Sequence, residues 1–248
     1  MIDIWNKGFR NFSQNNEDGL IEYIFNNIKF KNKIVFEICA GDGIECNAAN
    51  LIINHDFNAF LFDGNYNEIK KGIDFYSNNE KVRFICDWIT CENIKDLIDK
   101  TCLITNEIDL LSLDVDGNDY WILKEIIQND LLNPRVIVLE YQDILGPFMS
   151  LTIPYDPKFN AWEHDCYGGP NYCGASLKAF INLLKDKYVF VFCEEKGFNA
   201  FFIRIDEYEK QTEIKECTDI KVCFEIPKVK FGIENRFPRV RNLEWISL

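Results

Sequence analysis

The 248-residue sequence predicts an α/β fold: a Rossmann-like, mainly parallel seven-stranded sheet that ends in an antiparallel β-hairpin. Three observations predict it. Short apolar runs alternate with helical stretches, an alternation that places parallel strands under helices on both faces. A glycine loop, Gly41-Asp42-Gly43, follows the first strand and precedes a helix, at the strand end where open α/β sheets bind ligands. The last two apolar runs are separated only by Lys196-Gly197-Phe198. That link is too short for a parallel crossover, so the two strands pair antiparallel.

The elements follow in order. Leu20, Ile21, Ile24, Phe25 and Ile28 share one face of a helix over 17–28, with Ser13 or Asn16 as its N-cap. Buried strands are expected at 33–38, 59–63, 82–86, 108–114 and 135–141. Helices are expected at 47–55, 92–100, 119–130 and 176–187, and the hairpin at 188–195 and 199–205. Residues 144–175 are rich in Pro, Gly and aromatics and too long for an ordinary connection, so they read as a lid or substrate wall within a domain of residues 1–206. Residues 207–248 read as a C-terminal extension that packs on this domain or on an oligomer partner.

Composition bounds the function. With 47% hydrophobic residues the chain forms one substantial core. A net charge of −13 with no dense Lys/Arg run excludes non-specific nucleic-acid binding. The one local basic cluster, Arg236, Arg239 and Arg241, reads as a solvated tail. There is no signal-peptide pattern and no apolar run long enough for a membrane-spanning helix, so a cytoplasmic protein without membrane insertion is expected. The ten cysteines form no C-x-x-C pair and many lie in apolar runs, as buried free thiols in a reducing compartment would. The spacing of His164, Cys166 and Cys173 fits no standard zinc pair.

A nucleotide site is expected around the glycine loop. Glu37 lies just upstream, Asp63 ends the second strand where an acid holds ribose hydroxyls, and Asp87 ends the third where it meets an adenine amino group, with Trp88 as a flat surface beside it. A dinucleotide would want a third glycine, absent here, and Asp42 opposes a pyrophosphate. S-adenosylmethionine (SAM) needs no phosphate cradle and fits better, with Glu37, Gly41, Gly43 and Asn47 shaping its site. Cys39 stands where a further glycine is common in such loops.

"LLSLDVDGNDYWIL" sets Asp114, Asp116 and Asp119 directly after an apolar run. Close, dehydrated carboxylates need a cation, hydrogen-bond donors or water. A calcium loop of the EF-hand type would want Gly where Asp119 stands. In a parallel sheet Asp114, Asp116 and Glu140, which ends the fifth strand, meet at one rim. There Asp116 and Glu140, with His164 from the presumed lid, are the candidate catalytic groups and the candidate ligands of a divalent cation, magnesium or manganese. Tyr141, Trp162, Tyr167 and Tyr172 are candidate walls of an acceptor pocket.

The stretches "SQNNEDGLIEYIF", "VFEICAGDG", "LSLDVDGNDYWIL", "VIVLEYQ", "GASLKAF" and "GFNAFFIRID" together resemble bacterial FkbM-like class I SAM-dependent methyltransferases over residues 12–206. The resemblance implies methyl transfer from SAM, commonly to oxygen, on a small sugar or sugar-nucleotide-like acceptor in surface-glycan or capsule biosynthesis. It implies that the cluster at Gln14, Glu17 and Asp18 closes over cofactor or acceptor. The expected donor site is then Gln14, Glu37, Ala40, Gly41, Gly43, Asn47, Asp63, Asp87, Trp88 and Asp114. The rival functions are an NAD-dependent oxidoreductase or epimerase and a non-catalytic nucleotide-binding scaffold.

Overall fold

The computed structural model describes residues 2–248. Strands β1 (Ile34–Ile38), β2 (Asn58–Asp63), β3 (Val82–Cys86), β4 (Glu107–Leu113) and β5 (Asn133–Glu140) are parallel to one another. A short β6 (Leu151–Thr152) precedes the hairpin of β7 (Tyr188–Cys193) and β8 (Asn199–Arg204), and β9 (Ile246–Ser247) lies near the C-terminus. The large sheet has the order β3-β2-β1-β4-β5-β8-β7, with β8 antiparallel to both β5 and β7. This is the Rossmann-like seven-stranded sheet with a terminal hairpin that the alternation predicts.

The helices are α1 (Ile2–Trp5), α2 (Glu17–Ile28), α3 (Ala49–His55), α4 (Tyr66–Phe75), α5 (Ile94–Asp99), α6 (Asp119–Gln128), α7 (Leu177–Leu184), α8 (Ile205–Tyr208), α9 (Pro227–Phe231) and α10 (Phe237–Val240). Strand side chains alternate between the faces. Val136 and Val138 of β5 join the core under α2 and α3, while Ile137 and Leu139 join the core under α5, α6 and α7. The N-cap of α2 is settled by hydrogen bonding. Ser13 Oγ accepts from the Asp18 N–H at 3.1 Å, and Asp18 Oδ2 accepts from the N–H groups of Asn11, Phe12 and Ser13 at 2.6–2.9 Å. Asn16 makes no such bond. Helix α4 was not among the sequence expectations, although Tyr66, Ile69, Ile73 and Tyr76 fall at helical spacing; within it only Ile69 and Gly72 are buried.

At the rim opposite the glycine loop, Arg135 is buried between two acids. Its guanidinium donates to Asp109 and to Glu207 at 2.7 Å each, and to the carbonyls of Ile28 and Lys29. Asp109 also accepts from the N–H groups of Lys31, Asn32 and Lys33, so one network fixes the turn into β1 and ties α8 to the sheet. No helix among the described residues is long and apolar enough to cross a membrane.

Removing one partner of a buried, hydrogen-bonded ion network leaves the other charges uncompensated. Arg135→Met is therefore expected to lower stability by about 3–5 kcal/mol in urea denaturation. A loss under about 1 kcal/mol would show that the network contributes nothing net to the fold.

Candidate functional site

Three hollows meet at the carboxyl rim of the parallel strands. The first, about 650 Å³, is lined by Gln14, Glu37, Cys39, Ala40, Gly41, Asn47, Ser112, Asp114 and Asn199, among others. The second, about 450 Å³, is lined by Cys39, Asp63, Gly64, Trp88, Ile89, Val115, Asn118 and Phe159. Both border Cys39, so they form one trough across the ends of β1, β2 and β4. The third, about 560 Å³, includes Asp116, Gly117, Asp119, Glu140, Tyr141, Asp143, Lys228 and Arg236 in its wall. The loop 114–119 contributes to all three and forms the partition between them.

Carboxylates shape the trough. Glu37 is buried at the end of β1 and accepts from the N–H groups of Asn47 and Ala48 at 2.9 and 2.6 Å, which holds the start of α3. Burial raises its pKa, and these bonds oppose the rise. Asp63 accepts from the Gly41 N–H at 2.9 Å and the Asn65 N–H at 2.7 Å, so it braces the glycine loop as well as bordering the trough. Asp42 Oδ1 accepts from the N–H groups of Ile44 and Glu45. Asn47 donates its side-chain amide to Ser112. Gly43 adopts φ +67, and a Cβ there would press on Leu61 and Phe84. Cys39 adopts φ +65, the left-handed region that glycine enters freely, which explains why glycine suits that position. Burial, and then the charges of Asp114 and Asp63, push its thiol well above the usual range.

The segment 144–175 covers one end of the trough. Trp88 Nε1 donates to the Pro157 carbonyl at 3.0 Å, Asn118 Nδ2 donates to the Asp156 carbonyl at 2.8 Å, and the Phe159 ring lies against Gly117. Asp87 does not line the trough; its carboxylate faces Lys100 at 3.7 Å. His164 is not brought to the acids either. Its ring stacks on Phe159 and meets Tyr172 edge-on, both in an aromatic cluster with Trp245. Of the four aromatics expected in an acceptor wall, Tyr141 borders the third hollow, Tyr172 is buried in that cluster, and Trp162 and Tyr167 are exposed.

The three aspartates of the loop have three different environments. Asp119 is buried and accepts from the N–H groups of Val115 and Gly117 at 2.8 and 2.9 Å, clamping the loop with Asp116 at φ +52. Burial and the Asp114 charge push Asp119 up to about 7. Asp114 hydrogen-bonds with Glu140 and accepts from the Asp116 N–H; burial first, then the charge of Asp116, bring it to about 6. Glu140 lies well above the carboxylate range, by burial and by the charges of Asp114 and Asp116. Asp116 is exposed to the third hollow, its pKa raised by partial burial. Asp114, Asp116 and Glu140 bring one oxygen each within 4.8 Å of one another, the only such potential metal-binding group among the described residues.

Two groups in the third hollow lie outside the sequence expectations. Arg236 is buried, not a solvated tail. It donates to Asn171, to Asp143 and to the Pro170 carbonyl. Lys228 reaches the same wall from α9. The basic spacing in 236–241 was the one available signal, and the buried partner Asp143 is too far away in sequence to be read with it. The cysteines also differ from expectation: Cys39, Cys86 and Cys102 are exposed, and only Cys46, Cys173, Cys193 and Cys223 are buried.

No family model matches the sequence, and no curated protein matches it. Similar solved structures include the N-terminal domain of EvdMO1 with SAH bound, 9% identical, covering 79% of this chain and 88% of that one at a TM-score of 0.46. Another is an S-adenosylmethionine-dependent methyltransferase from Clostridium acetobutylicum, 14% identical over 76% of this chain and 90% of that one, with a TM-score of 0.45. A third is the METTL16 MTase domain, 11% identical over 74% of this chain and 65% of that one, with a TM-score of 0.45.

Two outcomes follow from the rim. The ordinary aspartate value is 3.8, so Asp114 and Asp119, at about 6 and about 7, bind extra protons in the folded state. Their contribution is fully present below the unfolded value and is lost as pH rises through the folded ones. Urea stability should therefore fall from about pH 4 to about pH 7, and Asp119→Asn should flatten that slope. A wild-type stability that rises over this window contradicts the assignment. Separately, Cys39→Gly relieves a left-handed residue and should raise stability by about 1 kcal/mol; a destabilised variant would mean that the thiol packs against the trough.

Proposed function

We propose that the chain is a SAM-dependent methyltransferase acting on the oxygen of a small, sugar-like acceptor. One observation carries this reading. Carboxylates already take the N–H groups of Gly41, Ile44, Glu45, Asn47 and Ala48. The loop therefore presents negative charge where a dinucleotide would need free donors for its pyrophosphate. A donor with a sulfonium and an ammonium, and no phosphate, complements such a trough. The same feature argues against the NAD-dependent alternative.

In this reading Asp63 and Trp88 hold the nucleoside end, and Gln14, Asn47 and Asn199 face the amino-acid end, where Glu37 and Asp114 supply negative charge. When bound, SAM supplies an electrophilic methyl group. The chain's own residues align the acceptor, exclude water by the covering segment around Phe159, and take up a proton. Asp116 is the base, because it opens to the acceptor hollow while Glu140 is hydrogen-bonded to Asp114. Asp114, Asp116 and Glu140 are also oxygen donors close enough to hold magnesium or manganese. With an ion held by these three oxygens, the chemistry supplied would be polarisation of the acceptor hydroxyl.

Calorimetry should show one molecule of SAM or S-adenosylhomocysteine (SAH) per chain and no binding of NAD. Asp116→Asn should spare SAM binding and lower methyl transfer by about 10²-fold. Activity lost to EDTA and restored by magnesium would select the cation over the base. Binding of NAD, or of neither nucleotide, would sink the reading.

A further inference from the structure

Three buried polar atoms without a hydrogen-bond partner border the third hollow: Tyr141 Oη, and two of opposite kind. Lys228 Nζ and Asp143 Oδ2 are both covered and have no hydrogen-bond partner, and both residues border the hollow with Phe198 and Arg236. The first is a donor without an acceptor; the second is an acceptor without a donor. Buried polar atoms left unpaired are rare. Two of them with complementary valence in the wall of one cavity point to a ligand group that offers both.

No hydrogen bond answers either atom, although Lys228 and Asp143 lie within each other's electrostatic reach. Lys228 Nζ rests 2.8 Å from the centroid of the Phe198 ring, a cation–π contact that leaves its N–H groups without an oxygen. Its stem is flexible enough to turn toward a better partner. Asp143 Oδ1 accepts from Arg236 Nη1 at 3.3 Å, and the rest of that guanidinium is engaged by Asn171 and the Pro170 carbonyl. Arg236 therefore builds the wall, while Lys228 and the second oxygen of Asp143 remain for a ligand.

The charge of the lining decides the ligand class. Lys228 and Arg236 stand against Asp116, Asp119, Glu140 and Asp143. An anion would satisfy Lys228 and meet Asp143 and Asp116 unfavourably. A cation would satisfy Asp143 and meet Lys228 and Arg236. A hydroxyl accepts from the ammonium and donates to the carboxylate at once. We infer that Lys228 and Asp143 are specificity residues that hold a hydroxyl of an uncharged, polyhydroxylated acceptor, while another hydroxyl of the same molecule faces Asp116. The inference rests on the third hollow being the acceptor side of the proposed methyltransferase.

The test is calorimetry or saturation-transfer NMR on the SAH-saturated chain. The probes are D-glucose, D-galactose and D-mannose, each with its uronate and its 2-amino-sugar counterpart. At least one neutral hexose should bind saturably, and its charged counterparts should bind at least about tenfold more weakly. Lys228→Met and Asp143→Asn should each weaken that hexose by about tenfold and leave SAH affinity unchanged. Asp143→Asn also disturbs the Arg236 wall, so Lys228→Met at unchanged melting temperature is the deciding variant. The inference is overturned if no neutral hexose saturates below about 100 mM, if the charged sugars bind as tightly, or if Lys228→Met changes nothing. Failure of SAH to bind would instead remove the methyltransferase reading, and the same titration of the unliganded chain would still test the Lys228–Asp143 pair.

Discussion

Carboxylates that accept backbone N–H bonds hold the loops on which the candidate site depends. Glu37 fixes the start of α3, Asp63 fixes Gly41, Asp42 closes its own turn, and Asp119 clamps the loop after β4. Each acid sits at or just beyond the carboxyl end of a strand, where the chain turns and leaves amide donors without a ladder partner. The arrangement gives rigid loops and also sets the charge of the rim. The same bonds that stabilise the backbone occupy the donors a phosphate would need.

That division of labour answers why three aspartates follow an apolar strand. Asp119 is held by two amide donors, which favour its charged form, while burial and the Asp114 charge raise its pKa. Asp114 is stabilised by the Asp116 N–H and by its hydrogen bond with Glu140. Asp116 is exposed at the third hollow, and Asp114 at the trough. One short motif thus supplies a structural clamp, a hydrogen-bonded orienter and a group free for an acceptor. Aspartates equal in the sequence differ once the loop is closed.

Much of the fold was legible because it follows from local pattern. The strands are short apolar runs, and the hairpin is dictated by a three-residue link that allows no crossover. Helix α4 was missed although Ile69 carries an apolar stripe into the core; the rest of its packing, with Gly72 close to Phe84 and the Asp42 carbonyl and Ile73 and Phe75 exposed, shows no such signal. Rim acids were legible as strand ends, but not their orientation: Asp63 turns to the glycine loop, whereas Asp87 turns to Lys100. His164 failed for a similar reason, because aromatic packing with Phe159 and Tyr172 outweighs its chemistry. Residues 144–175 were legible as a lid or wall, but their pairing with the C-terminal residues was out of reach. It rests on contacts distant in sequence, such as β6 with β9 and Tyr172 with the Glu244 carbonyl, and strands of two residues carry no periodicity to read.

The most direct test of the central claim is a crystal structure of the chain grown with SAH. The account predicts the nucleoside between Asp63 and Trp88, the amino-acid end beside Gln14, Asn47 and Asn199, and the sulfur turned toward Asp116 and the third hollow. Electron density for SAH outside the trough, or with its sulfur turned away from Asp116, would contradict it.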